Sequence, residues 1–156
     1  MSDVNYSISE VESFAARFYG GARLLITPYA YNTIFTSLSQ GSTQSSVINI
    51  AANADFLLMG IHHRAQIGAA QTNSSKTAPY VRVLLTDSGS NEQFTAQPVD
   101  LENYSNGSNF GNNLPYPRII AGRSTINVSV TNFAPTAETY TTLDIMLEGV
   151  LVRALS

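Results

Sequence analysis

Two adjacent histidines, His62 and His63, are the residues of this sequence whose type most readily suggests a metal-binding or catalytic site. They fall inside a long apolar run, residues 56–67, that predicts a strand. Neighbouring side chains of a strand point to opposite faces, so these two imidazoles do not converge on one ion. The sequence has no third histidine and no cysteine to complete a set of ligands. We therefore expect no metal and no cofactor, with one imidazole half-buried and the other exposed at the end of the strand.

Carboxylates and serines are the next groups that could do chemistry. Asp144 and Glu148 lie four residues apart in a predicted strand, about 13 Å apart on one face, which is too far for the two carboxylates of a glycosidase. Asp55 begins a strand, where a local Asx-type hydrogen bond is expected. No serine lies in a G-x-S-x-G turn, and the sequence has no glycine-rich phosphate-binding motif. These residues predict that the chain is not an enzyme, and a hydrolase acting on glycans is kept only as an alternative.

Eight tyrosines and seven phenylalanines are the third candidates, as a platform for sugar rings. Tyrosine and asparagine in loops suit adaptable binding surfaces, so a carbohydrate-binding module is an alternative function. Packing in the core or between subunits is the commoner use of these side chains. The two groups are Tyr29, Tyr31 and Phe35 early in the chain, and Tyr104, Phe110 and Tyr116 around an Asn/Gly-rich loop.

The composition describes a single, weakly charged domain. Of 156 residues, 44% are hydrophobic and 12% are charged, and that charged share is about half the usual one. A net charge of −3 offers no basic face for nucleic acid. No apolar run is long enough to span a membrane as a helix, and the N-terminus has no signal-peptide pattern. We expect no nucleic-acid or membrane partner, and a reducing cytoplasm suits a chain without cysteine.

Residues 1–21 differ from the rest and predict a short amphipathic helix, or an arm that becomes ordered on a partner. Ser7 or Ser9 offers an N-cap, and Gly20 and Gly21 provide a stop. A helix this short is marginal on its own in water, so it must dock on another surface. The apolar residues at helical spacing are Val11, Phe14, Ala15 and Phe18.

Residues 22–156 predict one domain of strands separated by turns. No helices alternate with the strands, which favours an antiparallel sandwich or jelly roll over an α/β fold. The predicted fold class is all-β, an antiparallel β-sandwich or jelly roll of about seven to nine strands with the N-terminal helix or arm added. Gly60 marks a possible bulge. The predicted strands are residues 22–27, closed by Pro28, then 32–38, 45–51, 56–67, 80–86, 92–99, 118–121, 124–132 and 140–152. The positions predicted to face inward are Ile126, Val128 and Val130, and Leu143, Ile145, Leu147 and Leu151.

The order of several strings along the chain carries a family resemblance. The strings are VINI at 47–50, DF at 55–56, VRVLLTD at 81–87, LPYPRII at 114–120, AGRSTINVSVTN at 121–132 and LDIMLEG at 143–149. With these strings, over roughly residues 45–152, the chain is similar to small virion structural proteins of tailed bacteriophages. The resemblance implies a β-sandwich or jelly-roll subunit without catalytic residues that decorates or cements a capsid, or lies elsewhere on the particle.

The predicted function is therefore that of a capsid decoration, cement or minor capsid protein of a phage virion, assembled in the host cytoplasm. Its expected partners are the major capsid protein and further copies of itself, as a homotrimer or another symmetric oligomer. A tail, connector or fibre-base role is the alternative within the virion. The predicted contact residues are Phe14, Phe18 and Tyr19 in the N-terminal segment, and Leu114 and Tyr116 in a proline-rich string that gives the backbone a rigid, extended path.

Overall fold

The computed structural model describes residues 7–21, 23–67, 78–104 and 112–154, without the side chains of residues 112, 113, 115 and 116. One helix, α1, spans Ile8–Phe18, and a short 3-10 turn spans Leu101–Asn103. Everything else that is regular is strand. The strands are β1 (Leu24–Leu38), β2 (Thr43–Asn49), β3 (Asp55–Ile67), β4 (Val81–Asp87), β5 (Glu92–Gln93), β6 (Val99–Asp100), β7 (Asn112–Ile120), β8 (Thr125–Asn132) and β9 (Tyr140–Ala154).

The strands form two antiparallel sheets. Sheet A has the order β1-β9-β3-β7, and sheet B has the order β2-β8-β4-β5, with β6 also pairing with β4. The chain passes from sheet A to sheet B at β2, β4 and β8, and it returns to sheet A at β3, β7 and β9. This interleaved order is the connectivity of a jelly roll, with the two short strands β5 and β6 sharing one strand position. The predicted all-β sandwich with a short N-terminal helix is confirmed.

The main core lies between the two sheets. All seven of the positions predicted to face inward are buried: Ile126, Val128, Val130, Leu143, Ile145, Leu147 and Leu151. Tyr140 and Phe56 are the largest of the fully buried side chains in this layer. Alternation along β8 and β9 therefore placed the core correctly, because each strand has one face on the other sheet.

A second, smaller apolar layer lies on the outer face of sheet A, under helix α1. Val11 of the helix packs there with Leu57, Val150 and Val152, which are all buried. On β9, the outward positions change from Asp144 and Glu148 to two valines where the helix begins to cover the strand. The N-terminal helix therefore docks on the chain's own sheet, as an amphipathic helix of this length requires.

Two strands differ from their predicted bounds because of proline. Residues 22–27 and 32–38 form one continuous strand, β1, in which Pro28 stands opposite Val150. The string at 114–118 lies inside β7 rather than before a short strand at 118–121. Both β1 and β7 are end strands of sheet A. Proline is tolerated at the edge of a sheet because its missing N–H falls on the side without a neighbouring strand.

Two further corrections concern local backbone geometry. The predicted strand over 92–99 is reduced to its two ends, β5 and β6, with bends between them. The predicted bulge at Gly60 is confirmed, since the register of β3 against both β7 and β9 shifts between Leu58 and Gly60. Opposite the bulge, a Cβ added to Gly149 would clash with the carbonyl oxygen of Leu57. Only glycine fits this close approach of β9 to β3.

Candidate contact surface

Helix α1 is capped at both ends, and its apolar side chains fall into a buried group and an exposed group. The Ser7 hydroxyl accepts a hydrogen bond from the Glu10 N–H at 3.2 Å. Gly20 and Gly21 end the helix with φ of 69° and 81°, values that residues other than glycine rarely adopt. Val11 and Ala15 are buried against sheet A. Two other apolar residues stay on the surface, Ile8 at 79% exposure and Phe18 at 59%.

A groove of about 520 Å³ runs between helix α1 and the end strand β7. Phe14 and Phe18 line it from the helix, and Pro117, Arg118 and Ile119 line it from β7. The end of β4, the turn after it and the start of β5 supply its third side. The residues on that side are Asp87, Ser90 and Glu92. We call this the α1–β7 groove.

The charges around the α1–β7 groove are largely paired. The Arg118 guanidinium donates to the Glu92 carboxylate at 2.8 Å and stacks over the Phe94 ring at 4.4 Å from its centroid. The buried Asp87 accepts a hydrogen bond from the Gly89 N–H at 2.9 Å. The stacked and paired Arg118 gives the groove a fixed wall. A groove of this kind suits an apolar occupant better than a highly charged one.

Three predicted contact residues have different surroundings from those two phenylalanines. Tyr19 donates a hydrogen bond to the carboxylate of Asp55, and burial, with Asp55 beside it, raises the pKa of the Tyr19 hydroxyl. Leu114 is half-buried and packs against the main core. The side chain of Tyr116 lies outside the described part of the chain. The structure thus brings Phe14 and Phe18 together in one groove. The Tyr19 ring contacts the Phe18 ring edge-on, with centroids 5.0 Å apart, whereas Leu114 lies elsewhere.

Asp55 makes long-range contacts instead of the predicted local turn. Its second carboxylate oxygen accepts a hydrogen bond from the Gly122 N–H at 2.7 Å. The expectation of a local Asx-type bond was wrong, because the strand start faces the turn between β7 and β8. The proximity of Asp55 and Gly122 depends on the order of strands in the sheet, so the sequence of one strand cannot predict it.

The two histidines point to opposite faces of β3, as predicted. His62 lies half-buried on the outer face, paired with Glu148 of β9. The His63 side chain is fully buried and its Nε2 lies 2.6 Å from a carboxylate oxygen of Glu102. The expectation that the second imidazole is exposed was wrong, since His63 lies within the strand on its inner face. Each imidazole has its own carboxylate partner on its own side of the sheet.

The other candidate residues are also spread over the molecule. Asp144 accepts a hydrogen bond from Asn32 at 3.4 Å, and it shares the outer face of sheet A with Glu148. Phe35 is buried and Tyr31 is half-buried, with the Tyr31 hydroxyl accepting the Ala51 N–H at 3.0 Å. Phe110 lies outside the described residues. Within the described ranges, no three His, Cys, Asp or Glu side chains are grouped to hold a metal ion. In those same ranges, no helix is both long and apolar enough to cross a membrane.

A second surface was missed by the sequence reasoning. Strand β1 stands at the other end of sheet A, and among the described strands of that sheet it pairs with β9 alone. Its 15 residues include no Asp, Glu, Lys or Arg, and Leu25, Tyr29 and Ile34 are exposed. Splitting the segment at Pro28 hid both the length of the strand and its lack of charge.

The fold and these two surfaces define a jelly-roll domain with a helix on one outer face. No protein-family model matches the chain, and no curated protein matches it. Among solved structures, the chain is similar to the infectious bursal disease virus VP2 subviral particle, at 12% identity and a TM-score of 0.32. The similarity covers 86% of this chain and 38% of that chain. The chain therefore spans less than half of that protein, and a similarity this weak carries no inference about function.

Proposed function

We propose that the chain is a structural subunit of a bacteriophage particle, a decoration, cement or minor capsid protein that binds the major capsid protein and stabilises the head. The observation that carries the proposal is the α1–β7 groove, where Phe18 remains 59% exposed. Apolar side chains grouped on a surface mark sites of protein contact. The chain as a whole is sparsely charged, since only 12% of its residues carry charge.

The fold is compatible with the proposal, and the sequence resemblance favours it. Jelly-roll domains occur in viral capsids, and also in lectins and cupins, so the fold alone does not choose among these functions. The strings over residues 45–152 resemble those of phage virion proteins, and that resemblance favours the capsid. We infer that the α1–β7 groove holds an apolar segment of the major capsid protein. Because the groove's Arg118 and Glu92 pair with each other, this contact depends only weakly on salt.

Binding to empty shells of the major capsid protein tests the proposal. The unmodified chain should co-sediment with the shells in a saturable manner. Phe18→Ser should weaken that binding by about tenfold or more, the size of effect expected from removing a central aromatic contact. Val47→Ser is the matched control, since Val47 is 55% exposed on the opposite sheet. Absence of binding by the unmodified chain would overturn the capsid role, and equal binding by the two variants would overturn the groove as its site.

A tail, connector or fibre-base role remains the alternative within the virion. The same groove could contact a tail or connector protein. Strand patterns do not encode the symmetry of the particle, so the sequence does not distinguish this role from capsid decoration. Decoration proteins cover the capsid lattice, whereas tail and connector proteins occupy one vertex. The number of copies per particle therefore separates the two roles.

A further inference from the structure

We propose that the free edge of β1 pairs antiparallel with β1 of a second copy of this chain, about a two-fold axis at Asn32. The edge in question belongs to Leu24–Leu38, a strand of 15 residues. Within the described part of the chain, a neighbouring strand lies on one side of it. Long edge strands normally carry charges that discourage pairing with another chain. This strand carries none, and Pro28 interrupts its row of backbone N–H groups.

The direction of the backbone groups follows from two residues. The Thr36 carbonyl accepts a hydrogen bond from the Gln44 side chain at 2.9 Å, and Gln44 belongs to β2 rather than to the neighbouring strand β9. Pro28 has no N–H to give to β9, although the register of β1 with β9 continues through it. Amide groups alternate between the two sides of a strand, so residues 28, 30, 32, 34 and 36 all direct their N–H and carbonyl groups to the free edge.

These two special positions fit each other in one register. If Pro28 stands opposite Thr36 of the partner subunit, the missing N–H of proline faces a carbonyl that Gln44 already satisfies. Both defects then fall on the same pair and cost no hydrogen bond. The same register places Asn32 opposite Asn32 of the partner subunit, and roughly eight backbone hydrogen bonds join residues 28–36 of the two copies.

The side chains favour an identical strand as the occupant of this edge. Two copies of a strand without charge meet without placing like charges opposite each other. Ile34, which is 55% exposed, lies beside Ala30 of the partner subunit on the outer face and is covered by it. A two-fold axis also keeps the outer face of one sheet A continuous with that of the other, which gives a closed dimer.

This pairing deepens the proposed function by naming the interface behind its symmetric oligomer, and to that extent it rests on that proposal. It is nevertheless tested on the purified chain alone. The capsid role is tested on shells and through Phe18. The dimer proposal and the capsid proposal can therefore be contradicted independently of each other.

Disulfide trapping tests the register, because the chain has no cysteine of its own. Opposite residues of a hydrogen-bonded pair have Cα atoms about 5.5 Å apart, within the range of a disulfide. Asn32→Cys should therefore form a covalent dimer on mild oxidation. Ile34→Cys is the matched control on the same strand and face, since its two copies lie about 13 Å apart. A mixture of Ala30→Cys and Ile34→Cys chains should form the mixed dimer, although neither forms one alone.

The mass of the unmodified chain, measured by light scattering behind a sizing column, completes the test. A dimer, together with trapping at position 32 but not at 34, supports the proposal. A monomer or a trimer overturns it. Trapping at position 34 as fast as at position 32 also overturns it, because the register would then be absent.

Discussion

The hydroxyl of Tyr19, just after helix α1, donates a hydrogen bond to the carboxylate of Asp55 at the start of β3. The same carboxylate accepts the N–H of Gly122, in the turn between β7 and β8. One side chain thus joins three segments that are far apart in the sequence. The joint fixes the end of α1 on sheet A and thereby sets one wall of the α1–β7 groove.

Tyr19→Phe should lower the free energy of unfolding by about 1–3 kcal/mol, because it leaves a partly buried carboxylate oxygen without its donor. Urea denaturation of the purified chain measures this. Tyr29→Phe is the control, since Tyr29 is 47% exposed and its hydroxyl has no hydrogen-bond partner among the described residues. Equal stability of the two variants would show that the joint contributes nothing.

Alkaline pH should destabilise the fold through three tyrosines. Burial raises the pKa of Tyr19, Tyr104 and Tyr140, with Asp55 adding to the effect at Tyr19 and Glu138 at Tyr140. In the unfolded chain these tyrosines ionise at about pH 10, while in the folded chain they hold their protons to higher pH. The unfolded state then binds fewer protons than the folded state, so stability is complete below pH 10 and falls above it.

The urea midpoint measured from about pH 9 to pH 11 checks this expectation. The decline should be shallower for Tyr19→Phe, which removes one of the three groups. A midpoint that stays constant over this range would contradict the argument.

Val11→Ala should destabilise the chain by about 2 kcal/mol, because Val11 is buried against Leu57, Val150 and Val152. Ser13→Ala, on the exposed side of the same helix, serves as the control for helix propensity. Denaturant unfolding measures both variants, and binding of a hydrophobic dye reports whether the outer face of sheet A becomes accessible. If Val11→Ala were as stable as the control, the helix would not be part of the folded domain.

Gly149→Ala should be among the most damaging small substitutions in the chain. Its new methyl group would collide with the carbonyl oxygen of Leu57. Overpacking costs about 1–3 kcal/mol even where side chains can move, and here the neighbour is backbone at the bulge of β3. Thermal unfolding should show a clear loss of stability, and an unchanged transition would contradict the close approach of β9 to β3.

The sequence alone predicted the sandwich and its inner faces, because a strand packed on one side alternates strictly. The alternation along β8, and along β9 up to Leu147, can be recognised without knowing which strands are neighbours. The same reasoning missed the helix's position, although a signal was present. Val150 and Val152 are apolar where the outward face should be polar, and that break marks the part of sheet A that α1 covers.

The α1–β7 groove was only half predictable. Phe14 and Phe18 follow from helical spacing, but nothing local indicates that the helix lies beside residues 117–119. That neighbour depends on the order of strands in sheet A, as do the partners of Asp55 and His63. The strand bounds predicted at Pro28 and at the prolines of β7 differ from the structure for one reason: proline marks the end of a strand and a position inside an edge strand equally well. These prolines lie inside edge strands of sheet A. Whether a strand is an edge strand depends on the order of strands in the sheet, which the local sequence does not show.

The number of copies of this chain per purified virus particle tests the central claim most directly. Quantitative mass spectrometry against the major capsid protein measures it. The proposed role as a capsid decoration or cement protein predicts copies in a fixed proportion to the major capsid protein, comparable with the capsid lattice. A handful of copies would contradict that role in favour of a tail, connector or fibre base, and absence from the particle would contradict any structural role in the virion.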